Sequence, residues 1–269
     1  MSVLVMILSA GAIIGLVKYG LVAGLEHLAN ALNWSPKTRG QATGYATSAP
    51  ELVALVAAGL AGVWDAGLWN IASSNIINAG LMILAMLVYK QGHELFHRRF
   101  LDEIGFAGIG VLAPILLMKL ELDTHWIVVP VLLGLFVVYQ VLDRRLNPSG
   151  EAPAAETVGN LRLGVTLVVT ALACIAVAGI FLGDATKGVV QQMGLHPAIA
   201  GWILGVVTSL PEVVTFFSVY ATSKREGKSH LLEDTQEVLD NLAASNMSNT
   251  GLIYPVGLSV FLIVTALTG

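Results

Sequence analysis

Thr47-Ser48-Ala49-Pro50-Glu51 interrupts one long apolar run, and Thr208-Ser209-Leu210-Pro211-Glu212 interrupts another. The approaches match as well. Pro36, Gly40 and Gly44 precede the first copy and Pro197, Gly201 and Gly205 the second, each pair 161 residues apart. A polar segment follows each copy: Asn70-Ile71-Ala72-Ser73-Ser74-Asn75-Ile76-Ile77-Asn78-Ala79-Gly80, then Asn241-Leu242-Ala243-Ala244-Ser245-Asn246-Met247-Ser248-Asn249-Thr250-Gly251. These are 171 residues apart, so about ten extra residues separate the two elements in the second copy. A duplicated helix pair with acids at membrane depth is the mark of a transporter built from repeats.

The surrounding chain has the composition this requires. Of 269 residues, 55% are hydrophobic and 12% charged, and the mean hydropathy is +0.76. Soluble domains carry about 25% charged residues, so this is an integral membrane protein, and its net charge of −4 says little when most of the surface faces lipid. One cysteine, Cys174, excludes an intramolecular disulfide. The apolar stretch from Val3 to Val17 lacks a basic leader and reads as a first span, not a cleaved signal.

A span needs about 20 apolar residues. Eight candidate helices follow, at 3–31, 39–62, 66–89, 103–119, 125–143, 161–183, 196–222 and 236–268. The expected fold is therefore all-α and polytopic. The first half covers 1–146 with its repeat at about 36–89; a cytoplasmic linker covers 147–160; the second half covers 161–269 with its repeat at about 194–256. Connectors after odd-numbered helices hold Lys37 and Arg39; Lys90, Arg98 and Arg99; Arg144, Arg145 and Arg162; Lys224, Arg225 and Lys228. Those after even-numbered helices hold Lys119 and Lys187. The positive-inside rule makes the odd connectors cytoplasmic and puts both termini outside. The two motif copies then cross in opposite senses, as inverted repeats. The charged start of the last helix, from Glu233 to Asp240, should project into water, and the insertion from Lys224 to Gln236 should form a cytoplasmic hairpin or helix extension.

The motif itself offers oxygen ligands. Thr47 and Ser48 lie four and three residues before Glu51, on one helix face. Pro50 has no N–H and crowds the carbonyl of Ala46; Pro211 does the same to Val207. Gly44 and Gly205 add freedom to unwind. Ser74 and Asn78 are four apart, as are Ser245 and Asn249, so each pair shares a face. Carboxylates, hydroxyls and spare carbonyls suit Na⁺ or Ca²⁺, the latter taking about 6–8 oxygens. A charge at the bilayer centre costs at least ~2.5–3.5 kcal/mol, and two acids in one site repel unless cations or protons neutralise them. That requirement makes exchange obligatory, because the empty, doubly charged site is disfavoured.

Plainer readings stand beside these. Asn70, Ser73 and Gly80 fit the small and polar packing residues of membrane helices equally well. Glu51 and Glu212 could be protonated structural acids, Asp240 a wetted helix start, and Lys18 a snorkelling side chain. His93-Glu94-Leu95-Phe96-His97 matches a zinc-protease pattern. It sits in a basic connector without a third ligand and reads instead as an amphipathic link with Phe96 and Phe100 dipping inward.

The paired motifs resemble the α-repeats of the cation/Ca²⁺ exchanger superfamily, which read G-T-S-x-P-E followed by G-N-x-x-G-S-N-x-x-[N/D]. Here they are Ala46-Thr47-Ser48-Ala49-Pro50-Glu51 with Ser74-Asn75-Ile76-Ile77-Asn78, and Val207-Thr208-Ser209-Leu210-Pro211-Glu212 with Ser245-Asn246-Met247-Ser248-Asn249. The resemblance implies Ca²⁺ between Glu51 and Glu212, with Na⁺ held by Thr47, Ser48, Thr208, Ser209, Ser74 and Ser245. Glycines of the family pattern are replaced by Ala46, Val207, Ser73 and Ala244. Asn249 stands where K⁺-dependent relatives carry Asp, which argues against K⁺ coupling. The family commonly has ten helices, so a homo-oligomer or a partner subunit is expected to fill the gap left by eight.

The function expected is Ca²⁺ export against Na⁺ across the cell (inner) membrane, with no enzyme activity, cofactor or nucleic acid. Ca²⁺ against two protons also balances two acids, though proton-coupled relatives more often carry G-N-x-x-E. A cation channel using the acids as a selectivity ring is the third reading.

Overall fold

The computed structural model describes residues 2–34, 42, 44–96, 100–146, 159–232 and 235–268. Pro36, Lys37, Arg39, Gly40, His97, Arg98, Arg99, Glu233 and most of the 147–160 linker lie outside the described residues. Those described are helical with connecting turns and contain no strand. We number the helices α1 (Ser2–Ala31), α2 (Ala49–Leu60), α3 (Trp64–Leu87), α4 (Leu101–Lys119), α5 (Val128–Leu146), α6 (Leu161–Gln192), α7 (Pro197–Thr208), α8 (Leu210–Arg225), α9 (Gln236–Ser248) and α10 (Tyr254–Thr268). A π-helical turn, Asn249–Ile253, joins α9 to α10.

Four of these stretches are long and apolar enough to cross a membrane: Ser2–Ala31, Trp64–Leu87, Leu161–Gln192 and Val238–Leu267. The pair α7 and α8, bent by 42°, makes a fifth if counted as one broken span. Helix α2 is cut by a turn at Ser48, and α5 ends in the charged run Asp143, Arg144 and Arg145.

Both helix breaks fall inside the repeated motif, at Ser48 (φ −82°, ψ 0°) and Ser209 (φ −84°, ψ 0°). Pro50 and Pro211 then occupy the first turn of a new helix, where a missing N–H costs nothing. The expected unwinding by glycine is corrected. Gly44 and Gly205 stay helical, and their role is close approach. A Cβ on Gly44 would stand 3.2 Å from Asn241 Oδ1, and one on Gly205 would strike the Ser73 hydroxyl, with Asn70 O at 3.1 Å. Each broken helix thus leans on the other half's polar helix through equivalent residues, Gly44 on Asn241 and Gly205 on Asn70. Helices α1 and α6 cross the same way, Gly24 against Gly164.

Three apolar clusters hold this frame. One joins α1, α2, α6 and α7 around Met6, Ile13, Leu182 and Leu204; a second joins α2, α3, α5 and α10 around Leu55, Leu68, Leu132 and Leu258. The third gathers Leu95, Phe100, Phe216, Tyr220 and Leu239 at the end of α3 and the starts of α4 and α9. Val238 and Leu239 are buried in this last cluster, so α9 is docked from its first turn while Asp240 keeps partial exposure. Phe100 is buried, and Phe96, just past the helical turn Gly92–Leu95, is 60% exposed. His93 is also turned outward, its side chain 95% exposed. Of the insertion, only Lys224 and Arg225 extend α8; the chain then turns at Gly227 (φ +74°), and its described residues between there and α9 form turns.

Candidate cation site at the two helix breaks

Glu51 lies in the first turn of α2 and Glu212 in the first turn of α8, one residue beyond the proline in each case. Both are buried, 0% and 3% exposed, in a layer where Ser48, Ser74, Asn78, Thr208, Ser209, Ser245 and Asn249 are buried too. Thr47 is half-buried. Through hydroxyls, the acid at the first break is linked to both halves of the chain. Ser74 Oγ donates to Glu51 Oε1 at 3.0 Å, and the Ser209 hydroxyl of the other half meets Ser74 Oγ at 2.8 Å. Glu51 and Glu212 stand in the first turns of the two helices that begin at the breaks, and the Ser74–Ser209 hydrogen bond links those two regions.

The hydroxyls are tied back in equivalent ways. Thr47 Oγ1 donates to Gly44 O at 2.9 Å and Thr208 Oγ1 lies 3.4 Å from Gly205 O; Ser48 Oγ reaches Gly44 O at 3.2 Å. A hydroxyl that gives its hydrogen to the backbone keeps lone pairs for a cation. The amide oxygens behave alike. Asn78 Nδ2 donates to Ser245 Oγ at 3.3 Å and Asn249 Nδ2 to Asn75 Oδ1 at 2.9 Å, so in both amides the nitrogen is engaged. Among the described residues no donor reaches Glu51 Oε2, either oxygen of Glu212, Asn78 Oδ1 or Asn249 Oδ1, all fully buried. Five buried acceptors without donors are costly unless a cation or proton completes them. No set of three His, Cys, Asp or Glu side chains forms a metal cluster among the described residues, so neutral oxygens would have to complete any cation's shell.

The structure thus joins Glu51, Ser74 and Ser209 in one bonded group, Asn78 with Ser245 in another, and Thr208 with Asn70 in a third. Ser48 and Thr47 face their own backbone, and Asn249 turns its nitrogen to Asn75. Of the residues with a packing alternative, Ser73 takes it, bonding Asn70 O and Gly201 O across the α3–α7 contact. Asn70 instead takes a hydrogen bond from Thr208 Oγ1 at 3.2 Å.

Sequence reasoning passed over Asn75 and Asn246. Asn75 Nδ2 donates to Gly110 O (2.8 Å) and Thr250 Oγ1 (3.0 Å), and Asn246 Nδ2 to Asn75 O (3.1 Å). They lock α3, α9 and α4 together behind the site. Their signal was in hand, since both copies of S-N-x-x-N carry the asparagine. Glu103 and Asp143 were missed as well; both are buried and, with Asp240, lie around Tyr139.

No curated protein and no solved structure matches the chain. The family model described as sodium/calcium exchanger protein matches residues 2–143 and 163–267, nearly the whole length and in two blocks that each contain one copy of the motif. This is a multi-pass integral membrane protein, and it belongs to the sodium/calcium exchanger protein family.

Proposed function

We propose that the protein is a secondary antiporter that moves Ca²⁺ against Na⁺ by alternating access, with Glu51 and Glu212 as the charged pair of the cation site. The observation that carries this reading is the set of donor-free buried oxygens on Glu51, Glu212, Asn78 and Asn249. Such a site is stable when filled by positive charge and unstable when empty, so one cation leaves only as others enter. Thr47, Ser48, Thr208, Ser209, Ser74 and Ser245 supply the neutral oxygens. In this reading the chain crosses the membrane eight times as two inverted repeats with both termini outside. The clustering of Lys90, Arg144, Arg145, Lys224, Arg225 and Lys228 in connectors after odd-numbered helices supports that orientation.

One observation favours a second reading, Ca²⁺ against H⁺. The amides Asn78 and Asn249 hold the positions that could have added acids, leaving two carboxylates that two protons would neutralise. Radiolabelled Ca²⁺ uptake into proteoliposomes, with Na⁺, H⁺ and K⁺ gradients varied one at a time, separates the two. Uptake driven by a Na⁺ gradient supports the first; uptake that follows only a pH gradient replaces it with the second. Flux indifferent to every counter-ion would make the protein a channel.

A further inference from the structure

Helix α8 has an unusual attachment. The break at Ser209 and the missing N–H of Pro211 bend it 42° from α7 and loosen the backbone link between the two, so packing along α8 shares in setting its rotation. Val214 and Phe217 on its outer side are exposed. What it buries is one stripe, Glu212, Phe216, Tyr220 and Ser223, at the i, i+4, i+8 spacing of a single helix face. Glu212 is at the top of that stripe and Tyr220 is two turns below it. The rotation of α8, and with it the aim of the Glu212 carboxylate, therefore depends on what grips the lower part of the stripe.

The grip is aromatic and polar together. Tyr89 stacks on Tyr220 with ring centroids 4.1 Å apart and meets Phe216 edge-on at 6.1 Å. Such stacking tolerates sliding. The directional contact comes from Gln91, whose side chain is fully buried. Lys90 adopts φ +60°, which turns the chain sharply at the end of α3 and delivers Gln91 beneath α8. There its Oε1 accepts from the Tyr220 hydroxyl, while its Nε2 donates to Leu231 O at 3.1 Å and Thr235 Oγ1 at 2.6 Å. Both amide hydrogens and the amide oxygen are used, so the group is satisfied in one orientation only. It ties α3 of the first half to α8 and to the α8–α9 connector of the second.

We infer that Gln91, acting through Tyr220, is a positioning residue for Glu212: it sets the rotation of α8 and so the geometry of the cation site some two turns away. This rests on Glu212 being a cation ligand, as proposed above. The test is Ca²⁺ uptake kinetics in proteoliposomes for Tyr220→Phe, which deletes one oxygen, for Gln91→Leu, and for the double variant. Loss of one net hydrogen bond's worth of alignment predicts a roughly three- to tenfold rise in the Ca²⁺ KM, with maximal rate within about twofold of wild type and the double variant no worse than the poorer single one. Thermal unfolding of the purified variants checks that all three are folded. An unchanged KM in Tyr220→Phe, a fall in maximal rate with KM unchanged, or simple additivity in the double variant would each overturn the inference. Glu212→Gln run alongside separates the two claims. If it transports normally the site reading fails; if it is inactive while Tyr220→Phe keeps the wild-type KM, only the role of Gln91 fails.

Discussion

Glu51 and Glu212 differ in their surroundings although the sequence presents them as equals. Glu51 takes a hydrogen bond from Ser74, which itself meets Ser209 of the other half, whereas neither oxygen of Glu212 has a donor among the described residues. Glu51→Gln keeps an oxygen for Ser74 and adds donors to a site made of acceptors; Glu212→Gln does the latter alone. Either should reduce Ca²⁺ uptake by at least ~100-fold, about 3 kcal/mol, while the protein stays folded by thermal unfolding. Glu94→Gln should leave uptake unchanged, since Glu94 lies beside the exposed His93, away from the breaks. Asp123, in the turn between α4 and α5, has its carboxyl raised above the usual range, chiefly by burial and further by the charges of Asp65 and Glu121, against the Trp64 N–H bond that lowers it. The folded state therefore holds this proton more tightly than the unfolded chain. Its stabilising contribution is present below the ordinary carboxylate range and is lost as pH rises through the folded value. Asp123→Asn keeps an acceptor for Trp64 and removes the charge. As pH rises through and above the ordinary carboxylate range, the melting temperature of wild type should fall relative to that of the variant.

At the scale of helices, the two repeats give paired experiments. Gly80 and Gly251 are equivalent by the 171-residue offset. A Cβ on Gly251 would come within 2.8 Å of Phe136 on α5, whereas one on Gly80 meets open space. Gly251→Ala should cost about 1–3 kcal/mol of stability by overpacking, and Gly80→Ala should be neutral or gain up to ~1 kcal/mol from its better helix propensity. Denaturation of the two variants in one detergent checks the contrast. The same pair shows what was readable beforehand. The repeat, the acids and the places where helices break follow from local chemistry, because proline and the T-S-x-P-E spacing act within one turn. The use of Gly44 and Gly205 for contact was not readable, since their partners Asn241, Asn70 and Ser73 are far away in the chain. Gln91 is harder still; it follows the apolar run of α3, and its partner Tyr220 is 129 residues on.

For the molecule as a whole, the hydrogen bonds between halves among the described residues include Gln91 with Tyr220, Ser74 with Ser209, Asn70 with Thr208, Asn78 with Ser245 and Asn75 with Thr250. Residue 93 and residue 228 stand in connectors assigned to the cytoplasmic side. With the exposed Cys174 changed to serine, single cysteines at these positions should react with an impermeant maleimide only after vesicles oriented outside-out are opened. Labelling before opening would reverse the orientation and leave the cation site as drawn.

The hydroxyls of Thr47 and Ser48 turn their hydrogens back to the main chain and that of Thr208 turns to Asn70 Oδ1, so around the two acids acceptors outnumber donors, with Asn70 Nδ2 the buried amide donor left without an acceptor among the described residues. Two carboxylates among these oxygens repel chloride or phosphate, so in the exchange proposed above no counter-anion rides along with the cation. Whatever positive charge the two acids do not cancel must cross the bilayer uncovered and be felt as current. A voltage clamp would thereby count the ions: silence for one Ca²⁺ against two monovalent partners, and a net inward or outward current for every additional one.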